Sequence, residues 1–187
     1  MKIEEILYEL FVNRTDAYAV QQEKGYLAKK EPVTPELIKN HLLGLITIGF
    51  YQLYKDIVKW GCCDFDLNTI EDFEEAKRLF NYLVEKGFNP LFEMSGGGEY
   101  KCHVWIFSDT TAAKMQAFLK NACDKTQVHP HEIFPKQVEV GDDGYGNLVK
   151  LPLGVHQKTK QRSYFLDSNF KKIESEAEII NKLGGYL

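Results

Sequence analysis

Ile57-Val58-Lys59-Trp60-Gly61-Cys62-Cys63-Asp64-Phe65-Asp66 is an apolar, β-rich run that ends in two acids. A strand over Ile57–Asp66 sends alternate side chains to opposite faces, so Asp64 and Asp66 share one face at its end. Two carboxylates so close repel unless a cation lies between them or one takes up a proton. Hard divalent ions with oxygen ligands, Mg²⁺ or Mn²⁺, answer that need. An acidic exit from a strand into a turn gives the same pattern, and Asp-x-Asp alone is common.

The elements on either side predict an α+β (α/β) fold, with helices packed on an antiparallel or mixed sheet. Residues 2–12 place Ile3, Ile6, Leu7, Leu10 and Phe11 on one helical face. Thr34-Pro35-Glu36 starts a second helix, running to about Leu43. A strand over Leu45–Leu53 precedes a turn at Lys55-Asp56 and the acidic strand. Asn68 and Thr69 offer caps for a helix over Ile70–Lys86, with the stripe Ile70, Phe73, Ala76, Phe80, Leu83 and Val84, closed by Gly87. A short strand at Leu91–Met94, a turn at Gly96-Gly97-Gly98 and a strand over Lys101–Phe107 follow. Asp109 caps a helix from Thr110 to about Ala122. Short strands at Glu132–Phe134, Leu148–Leu153 and Ser163–Leu166 lead to a last helix, started by Glu174 or Ser175 and ended by Gly184-Gly185.

The chain has 187 residues, 44% apolar and 27% charged, which suits one globular domain with an ample core. Its longest apolar stretch, Leu42–Tyr51, is about half of the ~20 residues that span a membrane. The opening MKIEEILYEL puts acids where a secretory signal is apolar, so a cytoplasmic location without membrane insertion is expected. A net charge of −4 argues against a protein that coats long duplex DNA. The charge is uneven, however. Gly61–Glu99 carries nine acids and three bases, whereas Lys136–Lys172 carries seven bases and four acids. An acidic half facing a basic half suits a site that holds cations and phosphates together, although two solvated faces give the same balance.

Other residues could serve such a site. Ser95-Gly96-Gly97-Gly98 leads into Lys101-Cys102-His103-Val104-Trp105-Ile106-Phe107, and glycines let backbone N–H groups approach an anion. A plain glycine hairpin accounts for the same residues. Lys150 interrupts the apolar run Leu148–Leu151, and an inward lysine is costly unless it meets an anion. Asp167 follows Tyr164-Phe165-Leu166 much as Asp64 follows its strand, so two strand-end acids could meet at one sheet edge. Of the cysteines, Cys123 with His129, His131 and Cys102 is a candidate zinc set. Its irregular spacing favours reduced, partly buried thiols instead.

In this order, Asp64-Phe65-Asp66, a glycine loop ending in His103-Val104-Trp105-Ile106-Phe107, and Leu166-Asp167 resemble the three motifs of the archaeo-eukaryotic primase superfamily. The resemblance extends to the primase-polymerases of CRISPR and TOTE conflict systems. Leu10–Ala19 is similar to their N-terminal signature, Thr47–Tyr51 to the segment before the first acidic motif, and Ile133–Gln137 and Gly146–Leu153 to their later phosphate-side motifs. The glycine loop is longer than in the family: Lys101 stands two before His103 where a small residue is usual, and Ser95 lies eight before it.

The resemblance implies one catalytic core over 1–187: an N-terminal α/β part (about 1–56), a catalytic part with an RNA-recognition-like (RRM-like) sheet (57–170) and a C-terminal helix (171–187). It implies template-directed nucleotidyl transfer, with Asp64, Asp66 and Asp167 holding two Mg²⁺ or Mn²⁺ ions and His103 binding the triphosphate of a dNTP or NTP. Ser95, Lys136, Gln137, Asn147, Lys150, His156 and Arg162 complete the expected nucleotide site. Lys158 or Lys160 could replace Arg162, and Asp142 or Asp143 could replace Asp167. Single-stranded DNA template and a primer strand are the implied partners, along with further domains or conflict-system proteins. Two rivals are a metal-dependent nucleotide-sugar glycosyltransferase, which leaves Asp167 and the basic cluster without a role, and a non-catalytic single-strand-binding module stacking bases on Tyr100, Tyr145 and Trp105.

Overall fold

The computed structural model of the chain describes residues 1–141 and 144–187. In chain order the elements are α1 (Ile3–Phe11), β1 (Tyr18–Gln21), β2 (Tyr26–Lys29), α2 (Pro35–Leu42), β3 (Ile48–Tyr51), β4 (Ile57–Phe65) and α3 (Ile70–Glu85). Then come β5 (Leu91–Met94), β6 (Cys102–Thr111), α4 (Ala112–Thr126), β7 (Glu132–Phe134), β8 (Leu148–Lys150), β9 (Tyr164–Leu166) and α5 (Glu176–Gly184). No helix among the described residues is long and apolar enough to cross a membrane.

Two antiparallel sheets result. The smaller has the order β2-β1-β3-β8 and the larger β7-β4-β6-β5-β9. The fold is therefore α+β, as expected. The small sheet is not made of N-terminal residues alone, because Phe50 pairs with Val149 and brings β8 across from the later chain. That crossover places Lys150 at the junction of the two sheets.

Strand alternation sorts the core into two layers. Trp60 and Cys62 of β4, Leu91, Trp105, Phe134 and Phe165 face the small sheet and α1. Cys63 and Phe65, with Phe92, Val104, Ile106 and Leu166, pack beneath α3 and α4. Residues opposite one another across strands share a face, so register fixes what stands beside Asp64. Asp64 pairs with Glu132 on one flank and His103 on the other, His103 pairs with Glu93, and Glu93 with Phe165. The apolar inner face thus gives way, one step beyond Cys62 and Trp105, to a row of polar groups.

Helix starts follow side-chain capping. Thr34, Thr69, Thr111 and Ser175 each accept a backbone N–H of the first turn, worth ~1 kcal/mol per cap. Thr111, not Asp109, caps α4, because β6 stays paired with β4 as far as Ile57 opposite Thr111. The expected strand over Leu45–Leu53 is confined to Ile48–Tyr51. The β1–β2 hairpin has no counterpart in the sequence reading. Its strands are short, and all but Lys29 of β2 is exposed, so no apolar alternation announces it.

Candidate active site

A cleft of about 360 Å³ opens where the polar row of the large sheet meets the small sheet. Asp64, Asp66, Glu132 and His103 line it from the large sheet and its strand ends, Lys150 and Tyr26 from the small one, and Ser95, Gly97, His156 and Lys158 from two loops. Asp64 and Asp66 share its wall, as the strand period requires.

The third carboxylate is Glu132, not Asp167. β4 delivers its acids at its C-terminal end, and β7, running antiparallel, delivers Glu132 at its first residue. β9 runs antiparallel to β5, with Tyr164 opposite Met94 and Leu166 opposite Phe92. Its C-terminal end therefore points away from the cleft. There the Asp167 carboxylate accepts the backbone N–H groups of Asn169 at 2.8 Å and Lys171 at 2.9 Å, closing its own turn. Asp142 and Asp143 lie outside the described residues.

Each cleft acid faces a cation of the protein. Asp66 pairs with Lys101 at 2.9 Å, Glu132 with Lys136, and Asp64 lies 3.4 Å from His103 Nε2. The three carboxylates offer only hard oxygen donors, the chemistry that suits Mg²⁺ or Mn²⁺. Among the described residues no three acid, histidine or cysteine groups are already gathered closely enough to enclose an ion, each cleft carboxylate being turned to its cation instead.

His103 is 5% exposed and Glu93 is fully buried beneath it. The ring donates from Nδ1 to Glu93 Oε2 at 2.8 Å, and Trp105 Nε1 donates to the same oxygen at 3.0 Å. Burial alone would lower the His103 pKa, but the charges of Glu93 and Asp64 overcome it and push it up to about 10. The ring is therefore an imidazolium with Nε2–H aimed at the cleft. Burial likewise opposes ionisation of Glu93, yet Lys150 and His103 hold its pKa down at about 2. Lys150 donates to Glu93 Oε1 at 3.3 Å, the Leu151 carbonyl at 3.2 Å and Ser163 Oγ at 3.2 Å. The anion that an inward lysine needs is thus supplied from within the protein.

The remaining candidates divide. Ser95 is buried on the cleft wall, its hydroxyl accepting the Gly97 N–H at 3.3 Å. Gly96 has φ +77°, and a Cβ there would stand 2.9 Å from the Gln161 carbonyl, so the loop needs glycine for backbone packing. His156 lines the cleft, and burial beside Lys150 and Lys101 lowers its pKa, leaving a neutral ring. Gln137 and Asn147 bond each other, Oε1 accepting the Asn147 N–H at 3.3 Å, and neither lines the cleft. Arg162 is also outside it: its guanidinium donates to the carbonyls of Leu42 at 2.7 Å and Leu153 at 2.6 Å, a structural clamp. Lys158 lines the cleft in its place and, among the described residues, has no ion-pair partner. Lys160 instead reaches Gln157 at 3.1 Å.

The zinc set does not assemble. The Cys123 thiol turns inward to Cys63 at 3.8 Å, and the exposed ring of His129 lies 3.6 Å from Glu75. All four cysteines are free and buried. The aromatic residues offered for base stacking are also engaged. Trp105 is 1% exposed and packs edge-on to Phe11 and Trp60. Tyr145 stacks on Tyr51 at 5.0 Å, and Tyr100 packs near Phe73.

A divided cleft of this kind, with acids and His103 on the wall of one sheet and buried Lys150 on the other, stands in a chain that matches one known family along nearly all its length. Residues 2–185 match the TOTE conflict system archaeo-eukaryotic primase domain. The chain belongs to that family. No curated protein matches it. Of the residues that resemble the family's motifs, Asp64, Asp66 and His103 line the cleft, whereas Asp167 does not. Sequence reasoning missed Glu132, Glu93 and Lys101. The first two carry a usable signal, each being an acid set two residues from an inward-facing apolar position of a strand.

Proposed function

We propose that this primase domain catalyses template-directed, divalent-metal-dependent nucleotidyl transfer from dNTPs or NTPs, extending a primer strand or initiating one on single-stranded DNA. The observation that carries this reading is the convergence of Asp64, Asp66 and Glu132 on one wall of a cleft whose other groups include His103, Lys150 and Lys158. Asp64, Asp66 and Glu132 would hold two Mg²⁺ or Mn²⁺ ions. Bound there, such ions lower the pKa of an attacking 3′-hydroxyl and stabilise charge as pyrophosphate leaves.

The chain's own groups do the rest. His103 presents Nε2–H from a rigid strand to an incoming triphosphate, and its positive charge is kept by Glu93 below. Lys150 adds buried positive charge, while exposed Lys158, without an ion-pair partner among the described residues, is placed to meet a phosphate oxygen directly. The small sheet roofs the opposite side of the cleft with Tyr26 and Gln21.

The deciding experiment is synthesis on a single-stranded template, with and without primer, in Mg²⁺ or Mn²⁺. Wild-type product with loss in Asp64→Ala/Asp66→Ala supports the reading. Absence of product from wild type with either ion, or full activity in the double variant, overturns it.

A further inference from the structure

Beneath the cleft lies a charged group that no nucleotide or metal can touch. Glu93 is fully buried on β5, an inner strand of the large sheet, flanked in register by His103 and Phe165. A lone carboxylate there would be strongly unfavourable. It persists because its oxygens take donors from three directions: His103 Nδ1 at 2.8 Å and Trp105 Nε1 at 3.0 Å from β6, and Lys150 Nζ at 3.3 Å from β8 of the other sheet.

We propose that Glu93 is the positioning residue of the nucleotide site, one buried anion that holds His103 and Lys150 in place and so sets the triphosphate-binding geometry. The argument is stereochemical. A ring nitrogen spent on a buried partner fixes the ring plane and leaves the other nitrogen to face the cleft. With Nδ1–H held by Glu93, Nε2 faces the cleft 3.4 Å from Asp64 in a fixed ring plane. Lys150 is tethered by the other oxygen of the same carboxylate, so the spacing between the two cations is fixed by one group. Because Lys150 belongs to the small sheet, Glu93 also fastens the two walls of the cleft together. Trp105 adds rigidity, since its indole N–H locks the carboxylate plane from the core side.

This inference rests on the proposed function for its effect on catalysis but not for its structural content, and the test separates the two. Glu93→Gln keeps the shape and removes the charge. Glu93→Asp keeps the charge and shortens the arm, so it remains a test should the glutamine variant fail to fold. In either variant the nucleotide KM should rise, about tenfold or more for Glu93→Gln and less for Glu93→Asp, while kcat falls much less. A purely structural role would reduce the active fraction and leave KM untouched. Independently of activity, the Nδ1–H resonance of His103 in ¹⁵N-histidine-labelled protein at pH 7 should be visible in wild type and be lost or move upfield in Glu93→Gln, whose amide oxygen is the weaker acceptor. Loss or upfield movement of that resonance in a folded variant of an enzyme with no polymerase activity upholds the positioning contact and sinks the proposed function. An unchanged resonance, or an unchanged KM for both variants of an active enzyme, overturns the role of Glu93.

Discussion

Asp64 and Glu132 are direct partners across the antiparallel pair β4–β7, with side chains on the same face of the sheet. A strand that ends in an acid and a neighbour that begins with one thereby bring two carboxylates to a single edge. Asp66, two residues further along, extends the pair into the cleft.

The first prediction follows from that pairing. Glu132→Gln should reduce metal-dependent nucleotide incorporation at least ~100-fold, as should Asp64→Asn. Asp167→Asn should leave incorporation within about twofold and stability almost unchanged, because the amide oxygen still accepts the two backbone N–H groups of the turn that bond Oδ1. Incorporation assays and urea unfolding of the three variants check this. Strong inactivation by Asp167→Asn with normal stability would reverse the assignment.

A second prediction separates two basic residues of the same loop region. Arg162→Ala removes a guanidinium that ties the Leu42 and Leu153 carbonyls, so it should lower stability by about 1–2 kcal/mol with little change in nucleotide KM. Lys158→Ala should do the opposite, raising KM several-fold at unchanged stability, because the exposed lysine lines the cleft without a protein partner among the described residues. Melting curves and steady-state kinetics on the pair decide it.

What was legible and what was not divides along physical lines. Capped helices with a clear apolar stripe, such as α3, are read from local chemistry, and the Asp64/Asp66 pair from strand period alone. Lys150 was legible as a charge needing an anion, but the anion is Glu93 on another sheet, a pairing only long-range register can supply. Asp167 was misplaced for the same reason. An acid after an apolar strand looks alike whichever way the strand runs, and β9 runs away from the cleft. Arg162, Gln137 and Asn147 lie in a basic segment whose composition suits phosphate, yet their polar groups are spent on backbone contacts or on each other.

A third prediction concerns acid stability. His41 is fully buried, its Nδ1 accepting the Ile48 N–H at 3.1 Å and its Nε2 donating to the Pro152 carbonyl at 3.1 Å. Burial, aided by the charge of Lys150, lowers its pKa from 6.5 to about 3. The unfolded chain therefore binds a proton that the folded one refuses, so stability is whole above about pH 6.5 and declines as pH falls toward 3, at up to ~1.4 kcal/mol per pH unit. Glu93, held at about 2, adds to the loss below its ordinary value of 4.5. His103, raised to about 10, acts on the other side: its contribution is full below 6.5 and is lost as pH rises toward 10. Urea unfolding from pH 7 to 5 should show the decline, and His41→Gln should flatten most of it, the half-buried His156 accounting for the remainder. An equal slope in that variant would show that His41 is not the group responsible.

The last prediction uses Lys101, which stands two residues before His103 and lines the cleft. Its ammonium lies 2.9 Å from Asp66, with both side chains partly exposed. A divalent ion that takes Asp66 as a ligand must displace this contact, and an ion pair so open to solvent is worth about 1 kcal/mol or less. Lys101→Ala should therefore lower the Mn²⁺ concentration for half-occupancy by a few-fold, up to ~5-fold. Titration of free Mn²⁺ by electron paramagnetic resonance, without nucleotide, reads this directly. The nucleotide must be absent, because Lys101 also lines the cleft and its loss would weaken triphosphate binding at the same time. Tighter Mn²⁺ binding in Lys101→Ala, abolished by adding Asp66→Asn, would place the ion on Asp66. Weaker binding would mean that the lysine helps to assemble the acidic wall rather than competing for it.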